Sequence, residues 1–199
     1  MDKILKNATV VTSGYVKKMD IGIQGGRIAA LAESLDEPGE VIDCTGKLVL
    51  AGGVDVHAHL NEPGYTWRED YLHGTRAAAA GGTTCFVDMP LQNTPSLISA
   101  QIFRDKEKAV AGKAYVDYAF WGGLVEDNLD EMTGMKECGA KALKAFVSPS
   151  GPDYPSASIG LIYQAMQIAA KEDILLGFHC EDYSMITRYQ EPVSYTHLR

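Results

Sequence analysis

Hydrophobic and polar positions follow two regimes along the chain, and the change falls near Gly52. Before it, strand-length runs over Ile4–Thr12, Met19–Ile23 and Ile28–Leu31 predict β-structure, the last two joined as a hairpin through Gln24-Gly25-Gly26-Arg27. Val41–Asp43 and Leu48–Leu50 add two short strands around a Cys44-Thr45-Gly46-Lys47 turn. Beyond Gly52, strand-like runs begin near Val54, Thr83, Ala114, Ala142 and Ile174, about 30 residues apart, the length of a βα unit. Helical periodicity fills the gaps over Glu69–Ala80, Ser96–Ala111, Asn128–Cys138 and Ser156–Lys171. Glycine stands just past the first three of these helices, where a stop is expected.

Repeated βα units of one spacing build either a parallel barrel or an open doubly wound sheet. No Gly-rich turn follows the first of these strands, and histidines end it instead, which favours the barrel. A complete (β/α)8 barrel takes roughly 250 residues, and this 199-residue chain shows five strands after a small β segment at residues 1–50. The expected fold is therefore α/β, a partial TIM barrel over residues 51–191, forming the N-terminal part of a longer protein. Left unclosed, it would expose parallel edges at Val54 and Ile174. Residues 192–199 carry no period and are read as a truncation or foreign tail, with no role for His197.

Composition narrows the function classes. A net charge of −8 without a basic cluster disfavours nucleic acid and anionic membranes as partners. No apolar run has the length of a membrane span, and Met1-Asp2-Lys3-Ile4 does not open a signal peptide. Cys44, Cys85, Cys138 and Cys180 lack CxxC spacing and read as reduced thiols, so a cytoplasmic protein is expected.

The candidate chemistry sits at strand ends. Alternation through Gly52–Gly64, read as a buried strand entering a loop, sets Asp55, His57 and His59 on one face and Val54, Val56, Ala58 and Leu60 on the other. Two imidazoles on one face can hold a divalent metal ion, or can simply end the strand facing solvent. In the fourth strand Ala142, Lys144 and Phe146 share a face. A lysine aimed into a barrel is desolvated and tends toward the neutral amine, which reacts with carbon dioxide to give a carbamate, an anionic bridging ligand. The alternative is a lysine snorkelling to solvent. Lys141 precedes the strand and is assigned to the surface. The fifth strand sets Leu175, Gly177, His179 and Glu181 on one face, with Cys180 turned away from His179. Three histidines and a lysine at strand C-terminal ends point to a two-metal centre that lowers the pKa of a shared hydroxide. His73, on the first helix, reads as a surface or packing residue.

With His57-Ala58-His59 on the first strand, Lys144 on the fourth and His179 on the fifth, the chain resembles the amidohydrolase superfamily. It is most similar to the cyclic-amide branch of allantoinases, dihydroorotases and hydantoinases. The resemblance implies that residues 1–50 contribute to a small composite β-sandwich completed by a returning C-terminal segment. It also implies that His57 and His59 bind the more buried metal, that Lys144 is carbamylated and bridges, and that His179 binds the second metal. Two divalent ions, zinc or else cobalt or manganese, carbon dioxide for the carbamate, and a homo-tetramer or dimer follow from the same resemblance. A further histidine ligand and a catalytic aspartate are expected beyond residue 199, so these residues alone are expected to be inactive.

Dihydroorotases typically carry Arg where this chain has Asn61, because that Arg pairs with a substrate carboxylate. Asn61-Glu62-Pro63-Gly64 and Met89-Pro90-Leu91 instead resemble the allantoinase pattern, and hydantoinases usually lack the Glu-Pro-Gly. Asn61 is thus the candidate substrate contact. The expected reaction is hydrolysis of a cyclic ureide, allantoin to allantoate. Dihydroorotase and hydantoinase/dihydropyrimidinase chemistry are the alternatives. A non-catalytic scaffold homologue is a further rival, against which the presence of all four candidate ligands argues.

Overall fold

Five strands account for the residues before Gly53: β1 (Lys3–Val11), β2 (Val16–Gln24), β3 (Arg27–Ala32), β4 (Glu40–Asp43) and β5 (Leu48–Val49). The computed structural model describes residues 1–196, with side chains placed through residue 190. These strands form one mixed sheet in the order β3-β2-β1-β4, with β5 also on β1. The hairpins β1–β2 and β2–β3 are antiparallel, whereas β4 and β5 pair with β1 in parallel. Ala8, Val10, Ile21 and Cys44 make its core. Buried Asp20 ties three segments together, accepting the N–H groups of Asn7 (2.8 Å) and Leu35 (2.9 Å) and pairing with Lys6 at 3.0 Å.

The chain divides into two compact units, and the second begins at Gly53. Its strands are β6 (Gly53–Ala58), β7 (Thr83–Asp88), β8 (Asp117–Phe120), β9 (Gly122–Gly123), β10 (Leu143–Phe146) and β11 (Leu176–His179). They form two three-stranded parallel sheets, β6-β7-β8 and β9-β10-β11. Trp121 separates β8 from β9 and joins the two sheets. Its N–H donates to the Asp88 carbonyl (2.9 Å), while the next N–H, of Gly122, donates to Ala142 (2.9 Å). The third strand expected from the sequence thus changes partner across one residue, giving an arc of five parallel strands in chain order.

The helices are α1 (Tyr71–Ala80), α2 (Ala100–Val110), α3 (Glu131–Glu137), α4 (Ile159–Glu172) and α5 (Tyr183–Thr196). Three begin where a side-chain oxygen takes a first-turn N–H: Asp70 from His73, Ser99 from Ile102 and Ser158 from Leu161. These helices start two to four residues later than periodicity alone indicates, and the cap residue itself is not helical. α5 carries no expectation from the sequence, and it continues through residues 192–196, where no period was read. His197 lies outside the described residues.

One expectation is corrected here. The stretch Gly52–Gly64 is expected to be a buried strand entering a loop, yet its strand is Gly53–Ala58, and Val54 and Val56 there are 63% and 58% exposed. The reason is positional: among the described residues β6 has a strand partner, β7, on one side only. Its register with β7 also shifts twice, between Gly53 and Val54 and again between Asp55 and Ala58, where a bulge sets Val56 and His57 against one residue of β7.

Candidate active site

At the end of β6 the bulge turns the His57 N–H back onto Asp55 Oδ1 at 3.0 Å. The rings of His57 and His59 lie 5.4 Å apart, centroid to centroid. His57 is exposed, while His59 is half-buried and its Nδ1 has no hydrogen-bond partner among the described residues. Burial pushes the His59 imidazolium below its ordinary 6.5; Asp88 opposes this and His57 and Lys106 reinforce it. The neutral ring that results is the form able to donate a lone pair to a metal. Asn61 follows in the loop, 8% exposed, with its Oδ1 also unpartnered.

The loop carrying Asn61 is held from beneath. Asp88, closing β7, accepts the Leu60 N–H (3.0 Å), the Tyr71 hydroxyl (2.7 Å) and the Lys106 ammonium (2.6 Å). Lys106, on α2, also donates to Asn93 Oδ1 at 2.7 Å, and Asn93 Nδ2 bonds the Met89 and Leu91 carbonyls. Glu62 accepts the Tyr71 N–H at 3.0 Å and pairs with Lys113. Burial and the Asp88 carboxylate push the Tyr71 hydroxyl up, so it remains a donor. Gly64, at φ +103°, lets the two loops meet: a Cβ there would stand 2.5 Å from Thr94 Cβ, and Thr94 N–H donates to Pro63 at 2.9 Å.

Lys144 and His179 form the second group. Lys144 is 7% exposed, and its Nζ lies 5.3 Å from the Phe146 ring centroid. Burial holds its ammonium below the usual lysine range, with Cys180 opposing. Lys141, three residues earlier, is exposed. Phe146 is the register partner of His179, and their rings stack at 4.9 Å. His179 Nε2 meets Glu181 Oε1 at 3.1 Å, while the Ser148 hydroxyl donates to Glu181 Oε2 at 3.3 Å.

Of the five residues singled out from the sequence, four lie at or just past a strand's C-terminal end: His57, His59 and Asn61 at β6 and His179 at β11; Lys144, expected at such an end, is instead the second residue of β10. His57 stands with His59, Lys144 with His179 across Phe146, and Asn61 in the first loop. Among the described residues no three His, Cys, Asp or Glu side chains cluster as a metal would require. His73 pairs with Asp70 at 2.9 Å on the exposed start of α1. A separate cleft of about 180 Å³ opens between the loops after β6, β7 and β10, lined by Tyr65, Arg68, Gln92, Asn93 and Asp153 among others. None of the four candidate ligands lines it.

Sequence reasoning missed Lys106 and Asp88. A signal was present: Phe103, Lys106 and Val110 make the buried stripe of α2, and a lysine on an apolar stripe requires a buried partner.

Residues 48–193 match the family model described as Amidohydrolase family. The chain belongs to this family. An allantoinase of Deinococcus radiodurans is 38% identical over 193 residues, covering 96% of this chain and 43% of the relative. An allantoinase of Salmonella choleraesuis is 39% identical over 186 residues, covering 91% of this chain and 41% of the relative. Among solved amidohydrolase-like folds, the L-hydantoinase (dihydropyrimidinase) of Arthrobacter aurescens superposes with a TM-score of 0.92 at 28% identity, over 98% of this chain and 44% of that one. The chain thus spans about two fifths of the length of the relatives it matches.

Proposed function

We propose that the protein of which these residues are part hydrolyses a ring amide of a cyclic ureide, allantoin opening to allantoate. The observation that carries this reading is the 38% identity to an allantoinase sustained over 96% of the chain. Members of the family are generally metal-dependent. The local chemistry fits such a group: His59 offers a neutral, unpartnered Nδ1, and no carboxylate pairs with desolvated Lys144 among the described residues. His57 and His59 would hold one ion and His179 a second, with Lys144 between them as a carbamate. Zinc is the expected metal, with cobalt and manganese as substitutes. When bound, the ions supply Lewis acidity to the ring carbonyl and to the attacking water.

The chain's own residues supply the rest. Burial favours the neutral Lys144 amine, which adds to carbon dioxide; an N–C bond forms, one proton leaves, and an anionic oxygen pair results. Asn61, whose Oδ1 is buried without a donor, is the candidate acceptor for a ureide N–H. The Asp88–Lys106 pair fixes the backbone at Leu60, between His59 and Asn61.

A second reading, hydrolysis of a hydantoin-type ring, draws on the fold similarity to L-hydantoinase. The two separate in one assay. The full-length protein, supplied with zinc or manganese, is offered allantoin, hydantoin and dihydroorotate. Turnover of allantoin alone is the expected result, and turnover of another ring in its place overturns the substrate assignment. A homo-oligomer, tetramer or dimer, is proposed for the full-length protein on the strength of the same family.

A further inference from the structure

The Trp121 side chain touches β6, which leads into His57 and His59, and β11, which ends in His179. Its indole Nε1–H donates to the Val56 carbonyl at 2.9 Å. Val56 lies inside the bulge of β6, where the register with β7 is interrupted, and it immediately precedes His57. The far edge of the same indole covers Gly177 on β11. A Cβ at Gly177 would stand 2.8 and 2.9 Å from Trp121 Cζ3 and Cη2, so the ring occupies the space a side chain would fill. Gly177 is the register partner of Lys144 and lies two residues before His179, so it shares their face.

A bulge re-aims the side chain it carries only if its freed backbone groups are held. Here the Val56 carbonyl is held by a side chain from the strand junction that also links the two sheets. We propose that Trp121 is a positioning residue: it fixes the bulge that aims His57 and, through Gly177, its spacing from Lys144 and His179. The proposal rests on the functional reading above. It goes beyond that reading by assigning the alignment of the two groups to one indole.

Trp121→Phe, in the full-length protein, keeps an aromatic ring and removes the N–H donor and the outer six-membered edge. Gly177→Ala pushes a methyl group into that edge. Zinc affinity, measured by chelator competition, is expected to fall about tenfold in each, the size of effect that outer partners of metal ligands have. kcat is expected to fall more than KM rises. The double variant is expected to be no worse than Trp121→Phe alone, because the obstacle to the added methyl group is gone. Wild-type zinc affinity in Trp121→Phe, or effects that multiply in the double variant, would overturn the proposal.

The chain has two tryptophans, and the other, Trp67, is 79% exposed. In a Trp67→Phe background the emission of Trp121 reports the contact without metal or substrate, and Gly177→Ala is expected to shift it. An unshifted emission would remove the contact on which the positioning role depends. A shift together with no zinc bound by the wild-type protein would instead sink the metal reading, and the positioning role with it.

Discussion

Lys144 combines three conditions at one position: near-complete burial, an aromatic neighbour and no carboxylate partner among the described residues. A lysine in those surroundings gives up its proton more readily than one in water. Lys144→Ala is expected to lower turnover by the full-length protein at least ~100-fold, since the loss of a metal ligand costs no less than the loss of a group supporting one. It should also lower bound metal, as read by elemental analysis. Short carboxylic acids added to this variant should restore part of the rate by standing in for the carbamate oxygens; unchanged turnover in the variant would refute the ligand role. What was legible in the sequence is the pairing of Lys144 with Phe146: β10 is a regular strand paired on both sides, alternation puts the two on one face, and Nζ stands over the Phe146 ring. The register shift beside His57 was not legible: the hold on the Val56 carbonyl comes from Trp121, 64 positions beyond His57, and no local pattern carries that contact.

Elements show a similar division. The βα spacing, the positions of five parallel strands and the glycines that follow α1, α2 and α3 are local properties, and the sequence displays them. The buried polar network under the first two loops is not local, because Asp88, Lys106, Asn93 and Tyr71 come from four separate segments. Its effect on the site is transmitted by α2, which delivers a lysine where its apolar stripe calls for a hydrophobe. Burial lowers the affinity of Lys106 for its proton and Asp88 pulls it back, so each group is tolerated only because of the other. Lys106→Met should therefore lower stability by ~3–5 kcal/mol by leaving the Asp88 carboxylate buried and unpaired. Adding Asp88→Asn to that variant should recover part of the loss, since no charge then remains to be buried. Denaturant unfolding of the full-length variants measures both. A double variant less stable than the sum of the singles would mean the pair is not coupled as drawn.

Across the whole molecule the two units place their buried carboxylates differently. Asp88 serves the loops that carry the candidate ligands, whereas Asp20 holds only its own sheet, through Asn7, Leu35 and Lys6. Burial alone would raise the Asp20 carboxyl; the two N–H groups and the ammonium outweigh it and hold it below 3.8. A carboxylate whose folded pKa is depressed contributes stability that is complete above its unfolded value and is lost as pH falls through the folded one. The first unit should accordingly be insensitive to pH between about 5 and 7 as far as Asp20 is concerned, and should weaken as pH falls below about 4. Asp20→Asn removes the titrating group, so its stability should be lower at neutral pH yet flatter across the acid range. Hydrogen exchange at the Asn7 and Leu35 amides, followed from pH 7 to 3 after correction for intrinsic rates, reads this unit directly. Equal acid slopes in the variant and the parent would mean that the hydrogen bonds to Asp20 are not what couples the sheet to pH. A flattened slope confined to these amides would show that the coupling is local to the first unit, whatever chemistry the second performs.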